Sequence, residues 1–215
     1  MIRARFAELS VEEVANSLTH GFGLILSIAG FAFLLFLALL KGDSWHVASS
    51  VIYGSSLVIL YAASTIYHTS IDPVQKKRLQ VLDHCCIYLL IAGSYTPFML
   101  VVLRDGFAFT LLAVVWAAAA IGIAMKLTFR SRLVSGIGIA LYLVMGWLGL
   151  VAAPPLYNAM GVTPLALVGA GGLSYTAGMI FFGWHSIKHN HAIFHVFVLG
   201  GSILHFIAIA RYVLA

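Results

Sequence analysis

Charge is scarce in this sequence. Lysine, arginine, aspartate and glutamate make up 9% of its 215 residues, against about 25% in an ordinary soluble domain. Hydrophobic residues make up 62%, so the composition excludes a soluble globular protein and reads as an integral membrane protein. Basic clusters are equally scarce. The longest is Lys76-Lys77-Arg78, too short for a nucleic-acid surface. Cysteine is limited to the adjacent pair Cys85 and Cys86 inside an apolar run. Neighbouring cysteines rarely bridge each other, so these read as reduced core residues that carry no compartment signal. A cleavable leader is not expected, because the first apolar run starts near Leu18, behind Glu8, Glu12 and Glu13, and exceeds a signal-peptide core. Long polar stretches and clear internal repeats are missing, which leaves no place for a second domain.

What is present is seven apolar runs, at about 18–40, 46–69, 82–103, 107–126, 133–153, 163–184 and 191–213. Each is near the ~20 residues that ~30 Å of hydrocarbon requires. They are too long and too uniformly apolar for barrel strands, so the fold class is an all-α membrane protein, a seven-helix bundle. Residues 1–17 form a polar amino-terminal segment and 18–215 the transmembrane domain. Ser10-Val-Glu-Glu13 reads as a capping box that starts a short interfacial helix near Val11. Pro97, after Gly93-Ser-Tyr-Thr96, is expected to kink or unwind the third span and is the one clear break. Gly136-Ile-Gly138 and Gly171-Gly172 suit close helix contacts in lipid.

Orientation follows from the basic residues. Arg3, Arg5, Lys76, Lys77, Arg78, Lys126, Arg130, Arg132 and Lys188 fall on one side, and only Lys41, Arg104 and Arg211 on the other. The positive-inside rule then predicts a cytoplasmic amino terminus and an external carboxyl terminus. The expected location is the plasma membrane, multi-pass, which is the inner membrane if the chain is bacterial.

This topology gathers distant residues at one depth. The second span ends at Ser64-Thr-Ile-Tyr-His68, the third begins near Asp83, and the seventh begins at His191-Ala-Ile-Phe-His195. Two histidines four residues apart share a helix face, roughly 6 Å apart along the axis. Imidazole is the commonest metal ligand, and polar groups at membrane depth are expensive unless something engages them. His68, His191 and His195 with a water make a catalytic zinc pattern. Asp83 would hold that water and Ser64 would donate to a substrate oxygen. Haem fits badly, because histidines at i and i+4 lie on the same side of one helix. Copper more often recruits sulfur, and Cys85 and Cys86 keep it open. His46, His185 and His189 lie in or beside loops and read as headgroup-facing. His20 and His84 read as supporting residues. His205, ten residues beyond His195 and roughly 15 Å deeper, reads as a helix–helix hydrogen bond.

The chain resembles the haemolysin III branch of the progestin and adiponectin receptor family. The matching pieces are Glu12-Glu13 through Asn16-Ser-Leu-Thr-His20, Ser64-x3-His68, Asp83, Gly93-Ser-Tyr-Thr-Pro97, His191-Ala-Ile-Phe-His195-Val and Leu204-His205-Phe206. The resemblance implies seven helices, a cytoplasmic amino terminus and one zinc on His68, His191 and His195, with Asp83 contacting its water. A counterpart of the long amino-terminal domain of the animal receptors is not expected. The alkaline ceramidases, thought to be distant relatives, imply hydrolysis of a lipid amide. Expected partners are membrane lipids, one of them a possible substrate, and no nucleic acid. Three functions compete: a zinc hydrolase of a lipid amide or ester, a receptor-like or regulatory protein with structural zinc, and a transporter or proton relay.

Overall fold

The computed structural model describes residues 9–41, 43–129 and 132–214, and among these every regular element is helical. Helix α1 spans Val11–Lys41, α2 Ser44–Thr69, α3 Pro73–Pro97, α4 Gly106–Thr128, α5 Arg132–Trp147, α6 Ala153–Met160, α7 Val162–Gly183 and α8 Asn190–Tyr212. Seven stretches are long and apolar enough to cross a membrane. The third is α3 with the π-helical turn Phe98–Leu103, and the fifth joins α5 to α6 through a 3-10 turn at Leu148–Ala152. This is a multi-pass membrane protein.

Aspartates start three of the helices. Asp43 accepts from the Trp45 N–H at 2.6 Å, Asp72 from Gln75 at 2.7 Å and Asp105 from Ala108 at 2.7 Å. Each satisfies a donor that a helix start leaves without an intrahelical partner. At α1 the Ser10 hydroxyl accepts from the Glu13 N–H at 3.2 Å, with Glu12 and Glu13 in the first turn, as the capping box requires.

Three features differ from the sequence reading. Helix α1 runs unbroken from Val11 through residue 17, so the segment from Val11 onward forms the first turns of the first span rather than a separate interfacial helix. The third span likewise begins at Pro73, a full turn and more before the apolar run. The fifth span also has a break that was not expected, where α5 passes through the 3-10 turn into α6 ahead of Pro154-Pro155. Proline cannot continue the helical hydrogen-bond ladder, which is why the helix restarts there. Tyr95 caps the break, donating to the carbonyls of Met145 at 2.6 Å and Gly146 at 3.2 Å. The expected disturbance at Pro97 is the π turn that follows it.

Helix α1 lies against α2, α2 against α3, α3 against α4 and α7 against α8, and α1 also meets α8. This brings the first, second and last spans together although they are distant in sequence. Small residues permit the approaches: a Cβ on Gly23 would overlap the Tyr61 ring, and one on Gly171 the His205 ring. His205 Nε2 lies 3.1 Å from the Val168 carbonyl on α7, the helix–helix hydrogen bond its depth predicts. Cys85 and Cys86 are free and buried.

Candidate metal centre

The junction of α1, α2 and α8 carries the site. His68 ends α2, and His191 and His195 occupy the first two turns of α8. Their rings form a nearly equilateral triangle, with centroids 5.0 Å apart for His68–His191, 5.0 Å for His68–His195 and 4.5 Å for His191–His195. One ring nitrogen from each lies within 4.8 Å of the others, the one such group among the described residues. A point within about 2.8 Å of all three nitrogens follows from that spacing, against about 2.0–2.1 Å for a Zn–N bond. Sub-ångström side-chain shifts bring them to bonding distance.

Hydrogen bonds fix which nitrogen two of the rings present. His68 Nδ1 lies 2.6 Å from Glu13 Oε2, and a carboxylate can only accept, so Nδ1 carries the proton. His195 Nδ1 meets the Asn16 carbonyl at 3.2 Å and Thr19 Oγ1 at 3.1 Å. The Thr19 hydroxyl gives its own proton to the Ala15 or Asn16 carbonyl, so its oxygen also accepts from His195. Both rings therefore turn an Nε2 lone pair away from these partners. His68 Nε2 and His191 Nε2 are buried with no hydrogen-bond partner among the described residues. Unpaired buried acceptors are expensive, and a cation is what three converging lone pairs suit. A carboxylate or carbonyl behind each ligating imidazole is the usual support for such a centre.

The supporting residues lie on one face of α1. Glu13, Asn16 and His20 are spaced by three and four residues, and Thr19 lies beside them. Glu13 Oε1 also pairs with Lys76 at 2.7 Å, which ties the start of α3 to the site. His20 stacks on His195 with centroids 3.4 Å apart and its Nδ1 lies 2.7 Å from Ser64 Oγ. His20 thus supports the site, as the sequence suggests. Glu13 and Thr19 were not assigned these roles from sequence. The polar residues at helical spacing on an otherwise apolar first span were the signal that could have found them.

Asp83 is buried, 7% exposed, and shares a cavity wall with Ser64, His84, His191 and His195. Its carboxylate is not among the three converging ligand atoms. The cavity has a volume of about 320 Å³ and is lined mainly by apolar side chains. Along α8 it extends from His191 to His205, fourteen residues or roughly 21 Å. A second, polar pocket of about 330 Å³ is lined by Glu12, Glu13, Asn16, His68, His185 and His191. It reaches the surface at Glu12, which is exposed. His191 borders both spaces, so the histidine cluster stands in the wall between an apolar interior and a polar mouth. His46 lies elsewhere, 3.6 Å from Asp43 at the opposite end of α2.

A family model described as Haemolysin-III related matches residues 10–206, which includes every residue of this site. The chain is 43% identical to Hemolysin-3 of Bacillus cereus, over 98% of its own length and 95% of that protein's. It is 42% identical to the Hemolysin-3 homolog of Bacillus subtilis (strain 168), over 94% of each. Similarity extends to the human Monocyte to macrophage differentiation factor, at 30% identity over 97% of this chain and 87% of the other. A seven-span bundle, the histidine centre within the matched region and these near-full-length similarities lead to one conclusion: the chain belongs to the haemolysin III family.

Proposed function

We propose that this protein holds one zinc ion on His68, His191 and His195 and hydrolyses an amide or ester bond of a membrane lipid at the cytoplasmic leaflet, affecting membrane lipid homeostasis. The observation that carries the reading is the position of the cluster. Three imidazoles, two with unpartnered buried nitrogens, stand between an apolar cavity and a polar pocket, with Asp83 and Ser64 in the cavity wall. The donors are all imidazole and neither cysteine is among them, which favours zinc over monovalent copper. The one-sided distribution of basic residues supports the cytoplasmic assignment.

Zinc held this way supplies Lewis acidity, polarising a carbonyl and lowering the pKa of a water toward about 7. The remaining chemistry belongs to the chain. The apolar cavity takes the hydrocarbon of the lipid. The polar pocket admits water and ions. Asp83 accepts the proton of the attacking water and returns it to the leaving amine or alcohol. Ser64 stands between His20 and Asp83: its oxygen accepts from His20 in the Nδ1–H tautomer, and its proton, held by the Asp83 carboxylate at rest, turns to the substrate oxygen when a lipid is bound.

The test is lipid turnover by purified protein, wild type beside Asp83→Asn, with zinc measured on both. Asparagine keeps the shape and can hydrogen-bond but cannot take the proton. The variant retains its zinc and loses on the order of 10²-fold or more in turnover. Wild-type turnover in Asp83→Asn removes Asp83 as the base. If zinc-loaded wild type turns over no lipid amide or ester, a non-enzymatic receptor-like or regulatory role with structural zinc is the better reading. One observation favours that alternative: the centre already ties α1, α2 and α8 together through Glu13–His68 and Asn16–His195.

A further inference from the structure

Helix α2 carries polar side chains on one face along its whole length. His46, Ser49, Tyr53, Tyr61, Ser64 and His68 recur at intervals of three, four and eight residues, spacings that stay on one side of a helix. All but His46 are buried. From His46 to His68 is twenty-two residues, about 33 Å, enough to cross the hydrocarbon. Ser64 and His68 belong to the metal centre. The other half of the stripe belongs to nothing described so far.

In that half Ser49 and Tyr53 are 0% exposed, and their hydroxyls have no hydrogen-bond partner among the described residues. Neighbouring serines on the same helix are satisfied: Ser50, Ser55 and Ser56 donate to the carbonyls of Leu34, Ile52 and Tyr53. Near the helix start His46 Nδ1 is buried and lies 3.6 Å from Asp43 Oδ2, too far for a hydrogen bond. On the other side of Tyr53 lies a cluster of hydroxyls. Tyr61 donates to Ser202 Oγ at 2.9 Å, and the Tyr175 hydroxyl lies 3.0 Å from the same oxygen. Tyr175 lines the apolar cavity beside His205, whose ring it meets edge-on at 5.4 Å.

Buried hydroxyls without protein partners are satisfied by buried water, which makes two to four hydrogen bonds of its own. Polar groups aligned inside a membrane mark ion and proton routes. We propose that waters bound at Ser49, at Tyr53 and at the Tyr61–Ser202–Tyr175 cluster form a proton path between the membrane face at His46 and the cavity that contains the histidine centre. At each step a water or hydroxyl accepts one proton and releases another on its far side, so no group along the path keeps a charge. The path needs no hydrolysis, and its test is independent of the lipid reaction.

The experiment uses the full chain in phospholipid vesicles with a trapped pH dye, under a pH gradient with potassium and valinomycin to clamp the voltage. Wild type admits protons faster than protein-free vesicles. Tyr53→Phe, which removes only the hydroxyl, returns the rate to that background with zinc content and helicity unchanged. Thr110→Val, which removes an exposed hydroxyl on α4 outside the path, keeps the wild-type rate. A wild-type rate equal to protein-free vesicles, or a Tyr53→Phe rate equal to wild type, overturns the proposal. Thermal stability gives a second readout. A dry Tyr53 hydroxyl is an unsatisfied group whose removal raises Tm, whereas a hydrated one gives no rise. A higher Tm in Tyr53→Phe therefore also overturns it.

Discussion

Glu13 does for His68 what Asn16 and Thr19 do for His195: each holds the Nδ1 proton, so that Nε2 is left to ligate. The glutamate adds charge, raising the basicity of the ring it holds, and it is itself anchored by Lys76. Glu13→Gln keeps the size but removes both the charge and the ion pair. Competition with a chelator is expected to show zinc affinity lower by about 10–100-fold, the usual effect of losing such support. Affinity equal to wild type would show that the carboxylate only links α1 to α3. The pair His191 and His195 was legible because i and i+4 on a helix needs no knowledge of the fold. His68 was legible from membrane depth and from the family resemblance. Glu13 was not assigned, because its partner is 55 residues away and their contact depends on how α1 docks on α2. The serine at Ser64 was read as a donor to substrate. Its hydrogen bond to His20 makes that depend on the tautomer of a histidine on another helix.

At the scale of elements, the seven spans were readable because ~20 apolar residues leave few alternatives in lipid. Their ends were less readable. The amphipathic first turns of α1 and α3 are helical but polar, so hydropathy alone starts both spans late. The break before Pro154-Pro155 was missed for another reason. The residues on both sides are apolar, and the helix resumes at once. Asp43 shows how the loops are held. It caps α2, accepts from Arg104 at 3.0 Å and so joins the loop before α2 to the turn after the π segment. Arg104 sits there at φ 49 with its guanidinium over the Trp45 ring at 5.5 Å. The Trp45 N–H, and after it Arg104, hold the Asp43 carboxyl below its ordinary value. A group with a depressed folded pKa contributes stability above its unfolded value, and that contribution fades as pH falls through the folded one. Asp43→Ala is therefore expected to lower Tm in detergent at pH 7. The difference from wild type stays constant down to about pH 4, the ordinary aspartate range, and closes below it. A difference that persists unchanged into stronger acid would assign the effect to something other than the ionised carboxylate.

The whole molecule places a polar centre at one end of an apolar bundle, with α1 meeting α2 and α8 around it. The two spaces that meet at His191 give the site an apolar side and a polar side, which suits a reaction between a membrane lipid and water. No sequence pattern announced the cavity, since its walls come from residues scattered from His20 to His205. The central claim is that His68, His191 and His195 form one zinc site. Elemental analysis of purified protein tests it most directly, with wild type, His191→Ala and His185→Ala prepared side by side. His185 lines the polar pocket but is outside the converging cluster, so it serves as the matched control. The account predicts about one zinc per chain in wild type and in His185→Ala, and a clear loss in His191→Ala. Equal zinc in the two variants, or none in a wild-type protein purified with zinc present, would contradict it.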